Sequence, residues 1–255
     1  MNLSIGLAGA LDHDVLRELA PRVESLGFAS LWLNDTPGGD SLAGLAVVAS
    51  VTTTLGLGCG VIPVDRRPAG EILARMTELD LPEHRLSIGV GSGGPTDAIR
   101  RVGAAVDELR AGTSAVVVVG ALGPRMRRLA AERADGVLLN WLDPAAAAAA
   151  TAPLRQDAGG APCRSVLYVR TALDPAASPV LAAEAARYAG VPAYAANLAR
   201  LGIHGLDAAI DGPAEFAERL PRYAAAVDEV VLRVITRHDS LDDLDRFLDA
   251  AAAAS

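Results

Sequence analysis

The chain has 255 residues, 51% of them hydrophobic, a size that suits one (β/α)8 barrel or two smaller domains and a content that supplies a large core; one domain is expected. Its 31 acidic and 23 basic residues give a net charge of -8, which argues against a nucleic-acid or anionic-membrane partner because nothing offsets phosphate repulsion. With only Cys59 and Cys163 there is no disulfide framework, MNLSIGLAGA lacks a basic leader region, and no run of about 18 apolar residues occurs, so a cytoplasmic protein outside the membrane is expected.

Strand and helix alternate from the start. Leu3 to Ala8 reads as the first strand, followed by a helix from Asp12 with Val15, Leu16, Leu19, Val23 and Leu26 on one face and Gly27 as its stop. Ala29 to Leu33 is the second strand, halted by Asn34 and Asp35, and a helix over Ser41 to Val51 follows the loop TPGGD. The stretch LGLGCGVIPVDRRPAGEILARMTELDLPEHRLSIGVGSGG from Leu55 to Gly94 supplies the third and fourth strands, with a helix between them that opens at Pro68 and carries Ile72, Leu73, Met76 and Leu79. Such a strand-helix-strand unit is right-handed, and ligand sites in these folds lie where the strands end.

Ile99, Val102, Val106 and Leu109 mark the next helix. Ala115 to Gly120 is a fifth strand, apolar enough for burial on both faces, and the loop ALGP leads into a helix with Met126 and Leu129. Gly136 to Leu139 is the sixth strand, ended by Asn140 and Trp141; the alanine run after Asp143 and Pro144 is a helix former. Ser165 to Val169 is the seventh strand, 175–210 is irregular and helical in composition, Glu229 to Ile235 is the eighth strand, and Leu241, Leu244, Phe247 and Leu248 close the chain in a helix. Eight alternations favour a closed α/β barrel over an open sheet.

Polar groups gather where strands should end. Gly89, Gly91, Gly93 and Gly94 surround Ser92, leaving bare amides for an anion or simply making a tight turn. The loop Gly120, Ala121, Leu122, Gly123 runs into a helix at Pro124, whose free amides and Arg125 suit a phosphate, although a solvated Arg125 is an equal reading. Asp35 either contacts a ligand or caps the next helix. Trp141 either walls a pocket or packs under a loop, while Arg170 and Arg233 sit among apolar neighbours and so need a carboxylate, a phosphate or solvent; an anionic substrate is one account of the pair, and an ion pair with Asp228, Glu229 or Asp35 is an equal one. The four histidines have no metal-ligand spacing, so no metal is expected.

GFASLWLND, LGLGCGVIPVDRRP, LSIGVGSGG, VVVVGALGPRMRRLAAERADGVLLNW and DEVVLRVIT, in this order, resemble segments of the luciferase-like monooxygenases, a family that includes FMN-dependent enzymes and oxidoreductases using the deazaflavin coenzyme F420. The resemblance implies one barrel over 1–255 with an irregular helical insertion at about 175–211, reduced in its lid. It implies that a flavin or deazaflavin is bound by Asn34, Asp35, Gly60, Val61, Gly91, Ser92, Gly93, Ala121, Leu122, Gly123, Arg125 and Asn140, with a non-proline cis peptide at Gly60–Val61 backing the ring. Asp35 is the catalytic candidate, and Trp141, Arg170 and Arg233 are the substrate candidates. The reaction implied is hydride transfer between F420 or FMN and a small organic molecule, or monooxygenation with reduced flavin and oxygen. Asp35 and the small residues Gly60 and Ser92 lean towards F420. Thr36 and Gly94 stand where related deazaflavin enzymes have a histidine and a glutamate, so their proton donor is missing. A non-catalytic flavin-binding barrel, or a phosphate-ligand barrel without redox cofactor, is therefore the alternative. A homodimer through Ser41 to Val51 and Pro68 to Leu79 is also implied.

Overall fold

Inward and outward residues alternate so strictly along the strands that the barrel can be assembled from them. The computed structural model describes residues 2–36, 38–94 and 96–253; Pro37 of the TPGGD loop and Pro95 of the second glycine turn lie outside the described residues. Eight parallel strands, β1 (Asn2–Ala8), β2 (Ser30–Asn34), β3 (Gly56–Pro63), β4 (Leu86–Gly91), β5 (Val116–Gly120), β6 (Gly136–Asn140), β7 (Arg164–Ala172) and β9 (Glu229–Val234), form the wall. β9 pairs with both β7 and β1, which closes the ring and gives the expected (β/α)8 barrel. Between them in sequence, the three-residue β8 (Ala209–Asp211) pairs with Arg170–Ala172 of β7. β6 pairs with β7 only as far as Tyr168, so β8 takes over that edge beyond the end of β6.

Leu31, Leu33, Val117, Val119, Val137, Leu139, Leu167, Val169, Val230 and Leu232 belong to the main apolar core with the helices, while Trp32, Val118, Leu138, Val166, Tyr168 and Val231 form a separate cluster. Period-two alternation explains the split, since neighbouring side chains point to opposite faces of the wall. Glycines clear the interior for its large rings: a Cβ at Gly58 would overlap the Trp32 indole, and one at Gly6 would stand 3.1 Å from the Tyr168 ring. At the N-terminal end the interior is polar and satisfied. Fully buried Glu229 accepts from Ser4 Oγ at 2.5 Å and Trp32 Nε1 at 2.9 Å and pairs with Arg164.

The outer layer begins with α1 (His13–Ser25), α2 (Ser41–Val51), α3 (Ala69–Glu78), α4 (Ala98–Gly112), α5 (Pro124–Arg133), α6 (Pro144–Thr151) and the short α7 (Leu154–Asp157). Asp12, Asp40 and Asp143 cap α1, α2 and α6 by accepting from Asp14 N, Ala43 N and Ala146 N. The segment 175–211, expected to be irregular, resolves into a 3-10 turn, α8 (Ser178–Ala189), α9 (Pro192–Leu201), a second 3-10 turn and β8. Its breakers are punctuation: Gly190 ends α8, Pro192 opens α9, and Gly202 closes α9 with φ +70°. α10 (Pro213–Ala226), on which the sequence reading is silent, and α11 (Leu241–Ala253) complete the layer.

Candidate functional site

Alternation also fixes what stands at the carboxyl rim. Counting in twos from the interior cluster, the last inward positions are Asn34 on β2, Gly60 on β3, Gly91 on β4, Gly120 on β5, Asn140 on β6, Arg170 on β7 and Arg233 on β9. A cavity of about 470 Å³ opens there. It brings together Asn34, Asp35, Gly60, Val61, Gly91, Ser92, Gly93, Ala121, Leu122, Gly123, Asn140 and Arg170, so both glycine loops face one space. A larger hollow of about 780 Å³, with Asp135, Arg155, Cys163 and Asp228 in its wall, lies where β6, β7 and β9 begin, the end of a barrel that carries stability rather than chemistry.

One wall of the cavity is a bulge. The register of β3 against β4 slips between Cys59 and Ile62, the Gly60–Val61 peptide is cis as the resemblance implied, and Asn34 Nδ2 donates to Gly60 O at 2.6 Å. Val61 thereby enters the interior, where Gly91 and Gly120 receive it: Cβ atoms there would stand 2.8 and 2.9 Å from its methyls. Behind the bulge the Cys59 thiol is pushed up to about 12 by burial, which makes it inert. The Tyr168 hydroxyl, raised well above its ordinary value by burial, has no hydrogen-bond partner among the described residues and is almost closed to solvent, although the residue lines the cavity.

The two loops differ in charge. At Ser92–Gly93, Arg101 donates to Ser92 O at 2.6 Å, and the Asp65 carboxylate lies where a Cβ of Gly93 would project. At Leu122–Gly123 no carboxylate intrudes: Arg127 and Arg200 donate to Leu122 O at 3.4 and 3.5 Å, and Gly123 opens α5 with no side-chain cap. Burial and then the Arg200 charge hold Arg127 below its ordinary value. The charge beside this loop therefore comes from Arg127 and Arg200. Exposed Arg125 lies instead over an outer groove with Arg128 and Gln156, because the first turn of α5 points it away from the rim.

Three further expectations are corrected by the geometry. The Asp35 side chain is 1% exposed; its Oδ1 accepts from Ser41 N at 3.2 Å and Ser41 Oγ at 2.9 Å, and its Oδ2 pairs with Arg66. Asp35 thus fastens the start of α2, whose cap is Asp40, and its carboxylate is committed to Ser41 and Arg66 although the residue lines the cavity. Trp141 is 1% exposed and off the cavity wall, packed with Ala185 and Leu198 under α8 and α9. Arg233 also stays off the wall, because its guanidinium turns to Val234 O at the end of its own strand.

Arg170 pairs with Glu184 of α8 and not with Asp228, Glu229 or Asp35, which are engaged elsewhere. Its Nε donates to Glu184 Oε1 at 3.0 Å, its Nη1 donates to Asn140, and its guanidinium lies 4.3 Å from the Trp141 ring centre and 4.9 Å from that of Tyr188. Burial alone would raise Glu184, but Arg170 and Arg233 outweigh it and hold the carboxyl below its usual range. This clamp joins α8 to the rim, and Tyr188, Val191, Ala193 and Tyr194 then roof the cavity. Tyr168 was legible, two residues before Arg170 on one strand face; nothing in the sequence of 175–211 marked the roof. Among the described residues no cluster of three or more His, Cys, Asp or Glu is placed to hold a metal ion.

Residues 5–117 match the luciferase-like monooxygenase family, so the expected resemblance is borne out. No curated protein matches the sequence. Among solved structures, an F420-dependent tetrahydromethanopterin reductase from Methanopyrus kandleri superposes with a TM-score of 0.76 at 16% identity, over 100% of this chain and 98% of that one. An F420-dependent secondary alcohol dehydrogenase in complex with an F420-acetone adduct gives 0.76 at 14% identity, over 100% of both chains. The oxygenating constituent of 3,6-diketocamphane monooxygenase from Pseudomonas putida, in complex with FMN, gives 0.69 at 12%, over 99% of this chain and 96% of that one. At these identities the superpositions establish the fold.

Proposed function

We propose that this luciferase-like barrel is an oxidoreductase that binds FMN or coenzyme F420 in its rim cavity and transfers hydride to or from a small organic molecule, or uses reduced flavin and oxygen as a monooxygenase. The observation that carries the reading is the convergence of both glycine loops and the Gly60–Val61 bulge on one cavity. The residues fit such a group. Gly123 leaves space on its open side, since a Cβ there meets nothing within 4 Å, and the bulge presents an apolar wall to a ring. Leu122 and Gly123, flanked by Arg127 and Arg200, would hold the phosphate end, with Ser92 and Gly93 opposite. Gly60 and Val61 would back the ring, and Asn34 holds the Gly60 carbonyl by a hydrogen bond. The bound group supplies the redox chemistry; the protein orients and excludes water.

The lean towards F420 rests on Gly60 and Ser92, because Asp35 is engaged with Ser41 and Arg66. One observation favours the second reading, a carrier without catalysis: among the described residues the charged side chains of the wall, Asp35 and Arg170, are both ion-paired. Titration of the purified protein with FMN and with F420, followed by absorbance, separates the cases. Binding of one, bleaching by a reductant and recovery only with an organic acceptor or oxygen supports the enzyme. Binding without turnover supports the carrier, and silence with both cofactors removes the redox reading.

A further inference from the structure

The roofed end of the cavity differs from the loop end in kind. Cations accumulate at the loop end, where Arg127 and Arg200 both reach Leu122 O. At the roofed end the cation of the wall is answered within the protein. Arg170, 2% exposed, is held by Glu184, which is 14% exposed, and its guanidinium packs against the Trp141 and Tyr188 rings, whose centres are 5.0 Å apart. Arg233, which pairs with Arg170 across the β7–β9 ladder, lies off the wall and has Glu184 and Asp239 within electrostatic reach. Two arginines beside the wall thus face two carboxylates, while exposed Arg187 stacks on Tyr188, 4.6 Å from its ring centre. What remains in contact with a ligand there is mostly aromatic and aliphatic, Tyr188 and Tyr194, edge to face at 4.8 Å, with Val191, Ala193 and Leu138, beside the amide of Asn140 and the ring of Tyr168.

We propose that the substrate of this site is a neutral, flat, apolar molecule that packs beneath α8 and α9 against Tyr188 and Tyr194. The inference rests on the cofactor reading above, because the loop end is assigned there to the cofactor's phosphate. An anionic substrate would lose its hydration on entering and find the one wall cation already committed to Glu184, an uncompensated cost. A neutral ring loses little hydration and gains contact with the rings of Tyr188 and Tyr194. The buried pair also makes the preference reversible by one substitution. Removing the Glu184 charge leaves Arg170 as a desolvated cation beside the cavity, a site that favours an anion.

The test is equilibrium binding, by calorimetry, of 2-acetylnaphthalene and 2-naphthoate, which share a ring system and differ in charge. It is run on the protein loaded with whichever cofactor binds, and again without cofactor. In the wild type the neutral compound binds at least about ten-fold more tightly. Glu184→Gln raises naphthoate affinity at least about ten-fold and leaves that of 2-acetylnaphthalene within about two-fold, whereas Tyr188→Ala weakens the neutral ligand. Naphthoate binding the wild type as tightly as the neutral compound, or neither compound binding, overturns the proposal. These wild-type arms decide the matter even if a variant fails to fold. Failure of FMN and F420 to bind strikes the cofactor reading instead, and the two naphthalenes measured on cofactor-free protein still decide the substrate class.

Discussion

At Gly123 a Cβ would meet no atom within 4 Å and φ is -102°, so Gly123→Val fills the cavity without straining the chain. Cofactor affinity is expected to fall at least about 100-fold with an unchanged melting temperature, read by absorbance titration and a thermal scan. Gly93, alike in sequence, is different in the fold: φ is +72° and its Cβ would overlap Asp65, so Gly93→Val is expected to cost about 1–2 kcal/mol of stability as well as binding. Asp35→Ala removes the acceptor of Ser41 N and the partner of Arg66, and a loss of about 1–2 kcal/mol in denaturant unfolding is expected. An unchanged unfolding free energy would deny Asp35 its part in fastening the start of α2.

Loops and strand starts are tied by single carboxylates. Glu24 on α1 accepts from Thr53 N, Thr54 N, Thr54 Oγ1 and Leu55 N, which fixes the entry to β3, and the first of its causes, the Thr54 amide, brings its pKa down to about 2. A depressed carboxylate stabilises the fold above its unfolded value and loses that contribution as pH falls through the folded one. Glu24→Gln is therefore expected to lower the melting temperature by about 3 °C at pH 7, and the gap to the wild type should close between about pH 4.5 and pH 2. A gap constant across that window would remove the linkage.

The barrel strands were legible because their outward residues form unbroken apolar runs, and α1 and α3 because Leu16, Leu19, Val23 and Ile72, Met76 recur at helical spacing. β8 was not, since three residues carry no period, and α8 and α9 were obscured by Gly190, Pro192 and Gly202, which mark helix ends and read in sequence as interruptions. In the site, glycines and strand ends were legible from position along the chain. The side-chain commitments of Asp35, Arg125, Trp141 and Arg233 were not, because an ion pair to Arg66 or a turn of α5 depends on residues brought together only by folding.

For the whole molecule, the rim cavity, the glycine loops and the roof make one account of a cofactor bound at one end and a substrate at the other. No helix among the described residues is long and apolar enough to cross a membrane. α2 is apolar on nearly every side yet only partly covered at Ala43, Ala46, Val47 and Val51, which suits the proposed homodimer through α2 and α3. Sedimentation equilibrium is expected to give twice the chain mass, with Val47→Glu shifting it to the monomer; a monomeric wild type would discard that interface. The account as a whole turns on the phosphate end. The most direct measurement is therefore a paired titration of wild type and an Arg127→Gln, Arg200→Gln double variant with FMN and riboflavin, and with F420 and its phosphate-free ring alcohol. The account predicts that the wild type binds a phosphate-bearing member at least about ten-fold more tightly than its phosphate-free counterpart, and that the double variant erases the difference. Equal affinity for both members in the wild type, or a difference that survives in the double variant, would contradict it.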